Sequence, residues 1–251
     1  MTTPRETPRS PARWLRFFAA RLDRESYLGL HLTVGLGVIA LGVWLFGSLL
    51  EEVLDNDALV RADIAIASWI HSMTTPVGVK IFVAITNIGS PVVMATIAVV
   101  GAVTMFVKRH RLLAAAWVAA AAGGGVLDYL LKTTVHRSRP EYAAAFLHGS
   151  SYSFPSGHAM GSLLGYGFLA YALVLTGQRH ARGARVVYSL AALLTLLIGI
   201  SRVYIGVHYP SDVAGGWAAG LAWLAVCITG YQVVSGRTTL RNATKLPSPT
   251  P

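Results

Sequence analysis

The residues whose types and spacing could do chemistry fall in three short clusters. "KTTVHRSRP" at 132–140 carries Lys132, Arg137 and Arg139; "PSGH" at 155–158 carries Ser156, Gly157 and His158; "SRVYIGVHYPSD" at 201–212 carries Arg202, His208 and Asp212. Lys132, Arg139 and Arg202 offer donors suited to phosphoryl oxygens, which arginine can grip in a bidentate fork. Pro155 and Ser156 suit a helix start, where free amides and the positive dipole end hold an anion, and Gly157 lets the backbone come close. His208 and Asp212 fit a nucleophile or base with its orienter: the carboxylate fixes one ring nitrogen and leaves the other free to react. His158, at the mouth of an apolar run, is left as the acid that protonates a departing oxygen. An imidazole placed beside hydrocarbon is costly, so its position argues for a function.

The elements that must position these clusters are membrane helices. Of the 251 residues, 54% are hydrophobic and only 13% charged, and the mean hydropathy is +0.54. That is too apolar for an ordinary soluble domain and implies an all-α, polytopic membrane bundle. About six runs approach the length a spanning helix needs, at 28–50, 91–107, 112–131, 159–175, 186–203 and 213–234. The second and fourth are short. Residues 81–88 can extend the second, with Gly89-Ser90-Pro91 breaking or kinking it. The chain divides into a basic cytoplasmic segment (1–27), a membrane domain (28–234) and a disordered cytoplasmic tail (235–251). No cleavable signal peptide is evident, so the first run should serve as a signal anchor.

The formal net charge of +10 reports topology rather than nucleic-acid binding, because the basic residues are distributed by loop. Arg5, Arg9, Arg13, Arg16, Arg21 and Arg24 precede the first run; Lys108, Arg109 and Arg111 follow the second; Arg179, Arg182 and Arg185 follow the fourth; Arg237, Arg241 and Lys245 follow the sixth. These segments belong in the cytoplasm. The opposite loops carry Glu51, Glu52, Asp55, Asp57 and Asp63, and basic residues there are few apart from the three clusters. All three clusters therefore meet at one extracytoplasmic rim. The stretch around Trp14, Leu15, Phe18 and Leu22 suits a helix lying on an anionic leaflet.

In this order and spacing, the clusters resemble the signature of the type 2 phosphatidic acid phosphatase superfamily: Lys132 with six residues to Arg139-Pro140, then Pro155-Ser156-Gly157-His158, then Ser201-Arg202 with five residues to His208 and three more to Asp212. The resemblance implies an integral-membrane lipid phosphate phosphatase that works without a metal or other cofactor, through a phosphohistidine. It implies that His208 attacks phosphorus, Asp212 supports His208 and His158 protonates the leaving group, while Lys132, Arg139, Ser156, Gly157 and Arg202 hold phosphoryl oxygens. Arg137 matches a basic residue often found in relatives and is expected to contact substrate. Expected partners are the lipid substrate and membrane lipids, not nucleic acid, and the expected location is the plasma membrane. A polyprenyl pyrophosphate is the favoured substrate, with Arg137 on its second phosphate; phosphatidylglycerol phosphate and phosphatidic acid are the alternatives.

Each motif residue also has a plainer reading. Lys132 and Arg139 taken singly suit interfacial anchors, and Pro155-Ser156 or Pro210-Ser211-Asp212 suit simple caps; it is the conjunction that argues for a site. A vanadate-dependent haloperoxidase shares such a pocket but is soluble, and a lipid transporter or flippase leaves the catalytic set unexplained. Asp128, four residues before Lys132 on one helical face, is expected to pair with it rather than mark an ion path. Gly123-Gly124-Gly125 and Gly215-Gly216 are expected to permit close helix packing. His31, His71, His110 and His180 read as structural or interfacial, and His136 and His148 as near the substrate without chemistry. The single Cys227 excludes an intramolecular disulfide.

Overall fold

The computed structural model describes residues 27–55, 58–146, 152–177 and 180–243. The amphipathic stretch around Trp14, together with Asp57, His148, Arg179 and Lys245, lies outside them. The described chain is helical: α1 (Tyr27–Leu54), α2 (Ala58–Ser72), α3 (Pro76–Ile88), α4 (Pro91–Val107), α5 (Arg111–Val135), a 3-10 turn (Glu141–Ala145), α6 (Gly157–Thr176), α7 (Ala181–Tyr204) and α8 (Pro210–Ala243). Among the described residues, six segments are long and apolar enough to cross a membrane, with α3 and α4 together forming the second.

The expected break at Gly89-Ser90-Pro91 is complete. The Gly89 amide caps back onto α3, and the Ser90 side chain accepts from the Val93 amide while Pro91 takes the first position of α4. α2 was not expected. Its sequence, ALVRADIAIASWIHS, is too short to span and was read as acidic loop, but it buries Asp63 and Ala67, one helical turn apart, on a single face. At the other end, α8 runs past the expected boundary at 234 to Ala243; no proline interrupts it before Pro247.

α6 packs against α7 and α8, α1 lies along α8, α4 pairs with α5, and α3 leans on α7. The core between α5, α6 and α8 is built from Leu113, Trp117, Met160, Leu164, Phe168 and Leu224. Small residues bring the helices close. A Cβ on Gly216 would lie 2.6 Å from the Ser156 carbonyl oxygen, and one on Gly123 2.3 Å from the Trp223 ring. Gly125 differs, since a Cβ there would meet nothing within 4 Å. The outer surface is apolar, with Trp44, Val92, Val99 and Phe106 exposed, as a hydrocarbon solvent requires.

Candidate active site

The site is assembled by how the helices end. α5 carries Lys132 in its last turn and stops at His136, whose left-handed φ of 54° reverses the chain while its amide still bonds to the Lys132 carbonyl. The returning strand of loop is tied across: the Ser153 amide donates to the Arg137 carbonyl at 2.8 Å, and the Ser156 amide to the Asp212 carbonyl at 2.8 Å. After α7, the chain turns at Gly206, with φ 73°, where a Cβ would also lie 2.9 Å from that of Tyr142. This turn delivers His208 to the interior, and Asp212 follows in the first turn of α8.

His208 and Asp212 are both buried. Asp212 Oδ2 accepts from the Tyr209 amide at 2.9 Å and from the Ser153 hydroxyl, and stands 3.4 Å from His208 Nδ1. On the far side of the ring, Arg139 Nη1 donates to the Val207 carbonyl at 2.8 Å and meets His208 Nε2 at 3.1 Å. A guanidinium can only donate, so Nε2 is the acceptor and the ring proton sits on Nδ1, facing the carboxylate. Burial drives the His208 pKa from 6.5 down to about 4; the bond and charge of Asp212 oppose this, and Arg139 and Arg202 add to it. The imidazole is thus neutral at ordinary pH, with Nε2 unprotonated and its lone pair directed at the Arg139 guanidinium.

His208 lines a cavity of about 570 Å³ whose polar lining is Asp128, Lys132, Arg139, Gly157, His158, Arg202 and His208. Its other walls are apolar or small, among them Met94, Ala98, Trp117, Gly125 and Leu164. Arg202 is buried and anchored from α3, where Thr86 Oγ1 accepts from Nη1 at 2.9 Å; its Nε has no hydrogen-bond partner among the described residues. The same holds for the Ser156 hydroxyl, which is buried beside the cavity lining rather than part of it and occupies the N-cap position of α6 without making a capping bond. Lys132 Nζ contacts Asp128 Oδ1 at 2.5 Å, the expected pairing. A Cβ on Gly157 would sit 3.0 Å from both Lys132 Nζ and Asp128 Oδ2, so bare backbone is what this corner admits. The cluster can hold a tetrahedral anion beside a nucleophilic nitrogen, with a second imidazole, His158, in the same cavity.

Arg137, expected to contact substrate, has its guanidinium bonded to neighbouring side chains. Arg137 does not line the cavity. Its Nη1 donates to Asp212 Oδ1 at 2.6 Å and to Ser211 Oγ at 2.7 Å, and its Nη2 to Asp63 Oδ2 at 2.8 Å. It follows the left-handed turn at His136 and lies against the Asp212 carboxylate. Of the glycines expected only to ease packing, Gly124 and Gly125 also line the cavity. His136 is exposed and edges against Tyr152, while His71 stacks on Tyr142 at 3.6 Å. Three residues bonded to the site escape the sequence reading: Ser153, Thr86 and Asp63. Lone hydroxyls in a polar loop and in an apolar helix carry no pattern; Asp63 gave one signal, a carboxylate inside the run ALVRADIAIASW.

Residues 111–235 match the model of the PAP2 superfamily. Phosphatidylglycerophosphatase B of Bacillus subtilis is 32% identical over 179 residues, covering 71% of this chain and 88% of the relative. Decaprenylphosphoryl-5-phosphoribose phosphatase of Mycobacterium tuberculosis is 33% identical over 130 residues, covering 49% and 63%. Among solved structures, the transmembrane PAP2-type phosphatidylglycerolphosphate phosphatase of Bacillus subtilis superposes with a TM-score of 0.69 at 30% identity, covering 77% of this chain and 96% of that one.

Proposed function

The chain belongs to the PAP2 superfamily and is a multi-pass membrane phosphatase of lipid phosphates, and from that premise we propose that His208 is its nucleophile. Nε2 attacks phosphorus, the bond from phosphorus to the lipid oxygen breaks, and His158 gives that oxygen a proton. Nδ1 keeps its proton towards Asp212, whose charge balances the phosphorylated imidazolium. Water, deprotonated by His158, then cleaves the N–P bond and releases phosphate. Lys132, Arg139 and Arg202, with the Ser156 hydroxyl and the Gly157 amide, hold the phosphoryl oxygens as charge shifts between them. These three cations supply the charge a metal would otherwise bring, so activity should need no divalent ion. The observation that carries the reading is Nε2 of His208, an acceptor 3.1 Å from Arg139 Nη1, at the polar end of an otherwise apolar cavity.

The substrate we favour is a lipid phosphate monoester, with phosphatidylglycerol phosphate first. A polyprenyl pyrophosphate is suggested by the outward-facing site and by several donors at its rim, but the extra donor for a second phosphate, Arg137, is committed to Asp63 and Asp212. Asp128, beside Lys132, adds negative charge where a second phosphate would lie. The extent of similarity to phosphatidylglycerophosphatase B supports the same choice. Specificity constants for phosphatidylglycerol phosphate, phosphatidic acid and polyprenyl pyrophosphate, measured in identical mixed micelles with His208→Ala as blank, test it. Phosphatidylglycerol phosphate should rank highest; a preference for the pyrophosphate would overturn the assignment. The clusters lie at the membrane end opposite the basic loops, which supports an extracytoplasmic site with cytoplasmic termini.

A further inference from the structure

We propose that Asp63, on α2 and outside the segment that matches the family model, is a positioning residue of the reaction: through the fork of Arg137 it fixes the carboxylate of Asp212 that orients His208. The inference rests on the roles of His208 and Asp212 proposed above.

Asp63 is 1% exposed, and both of its oxygens are engaged. Oδ1 accepts from the Ser211 amide at 3.0 Å; Oδ2 accepts from Arg137 Nη2 at 2.8 Å and from the Ser211 hydroxyl. The two oxygens of Asp212 are divided in the same way. Oδ2 serves the His208 side, with Ser153 and the Tyr209 amide, while Oδ1 takes Arg137 Nη1 at 2.6 Å. The guanidinium therefore sets the rotation of the Asp212 carboxylate about its last bond, and hence where Oδ2 stands relative to Nδ1. A guanidinium on a flexible stem can do this only if it is itself held. Asp63 holds its other arm, and the Tyr209 ring lies against it, 4.5 Å from centroid to the guanidinium carbon.

Charge argues the same way. With Asp63 present, the charge of Arg137 is shared between two carboxylates, which leaves Asp212 free to balance the imidazolium formed when His208 is phosphorylated. Without it, the whole charge falls on Asp212 and draws that carboxylate from His208. A charged triad of this kind is a poor device for stability, because apolar packing of similar volume does as well. Its connection to the nucleophile is the better account of its presence.

Neither Asp63 nor Arg137 lines the cavity, so the two should act on turnover and not on binding. The test uses the full chain in detergent with phosphatidic acid in mixed micelles as probe, and rates taken per folded, monodisperse protein. Asp63→Asn should lower kcat about 10²-fold, the cost of a small misplacement of a reacting group, with KM changed less than about threefold. Arg137→Gln should act alike, and the double variant should fall less than about threefold below the weaker single one, because both act through one contact. Ser211→Ala keeps every charge and should cost about three- to tenfold in kcat; it decides the matter where Asp63→Asn does not fold. Wild-type kcat in Asp63→Asn, or in Ser211→Ala when only that variant folds, would overturn the proposal, as would losses that multiply in the double variant. His208→Ala is run in parallel: turnover surviving there would remove the nucleophile assignment itself.

Discussion

His208 combines two properties that its sequence position alone does not reveal, a neutral ring and an unprotonated Nε2 facing a cluster of cations. Burial, Arg139 and Arg202 push its pKa down while Asp212 pulls it up, and the balance lies at about 4. A nucleophile with a depressed pKa is competent above the lowered value, so the His208 ring should stay neutral as pH falls through 6.5 and take up its proton only on approaching about 4, as read by NMR of the imidazole. A His208 ring that titrates at the ordinary 6.5 would contradict the burial argument. The motif residues were legible because type and spacing together are specific, and Lys132, Arg139, Gly157, His158, Arg202 and His208 do converge on one cavity. The partners of Arg137 were not legible, because three cations within nine residues look alike in sequence. Which of them faces the cavity is decided by the turn at His136, a tertiary matter. Asp63 was counted as loop charge because its partners are 74 and 148 residues away.

Among the helices, contacts between α6 and α8 decide whether the cradle closes. Gly216 faces the Ser156 carbonyl, where a Cβ would approach to 2.6 Å, so Gly216→Ala must push the start of α6 away from α8. We expect a loss of about 1–3 kcal/mol in stability, the usual cost of overpacking, together with weaker phosphate binding through Ser156 and Gly157. Gly125→Ala meets open space and should leave stability unchanged or raise it slightly through helix propensity. Thermal unfolding of the two variants in detergent checks this; equal destabilisation by both would contradict the packing account. The long apolar runs were legible from length and hydropathy. The short α2 was not, because its helical face carries a buried aspartate where an apolar residue would have announced it. The cut between α3 and α4 was readable, since glycine, serine and proline in sequence end one helix and cap the next.

Over the whole molecule, the three clusters converge at one end of the bundle, while Lys108, Arg109 and Arg111 mark the other, between α4 and α5. If the basic end is cytoplasmic, Ser72, exposed at the end of α2, lies outside. A cysteine placed there in a Cys227→Ser background should react with an impermeant thiol reagent in intact cells, and labelling only after lysis would reverse the orientation. The family and the six spans were legible in the sequence because three interlocking motifs and hydropathy are both local signals. The substrate was not, because it depends on which side chains line a cavity shared by four helices and the segments joining them. The proposed mechanism turns on one covalent step, the bond between phosphorus and Nε2 of His208. The direct measurement is rapid quenching of the purified enzyme with lipid labelled in its terminal phosphate, followed by peptide mapping. We predict an acid-labile phosphoenzyme, formed as a burst before steady turnover, with the label on His208 and absent from His208→Ala. Label recovered on Ser153 or Ser156, or full turnover without any label on His208, would contradict it.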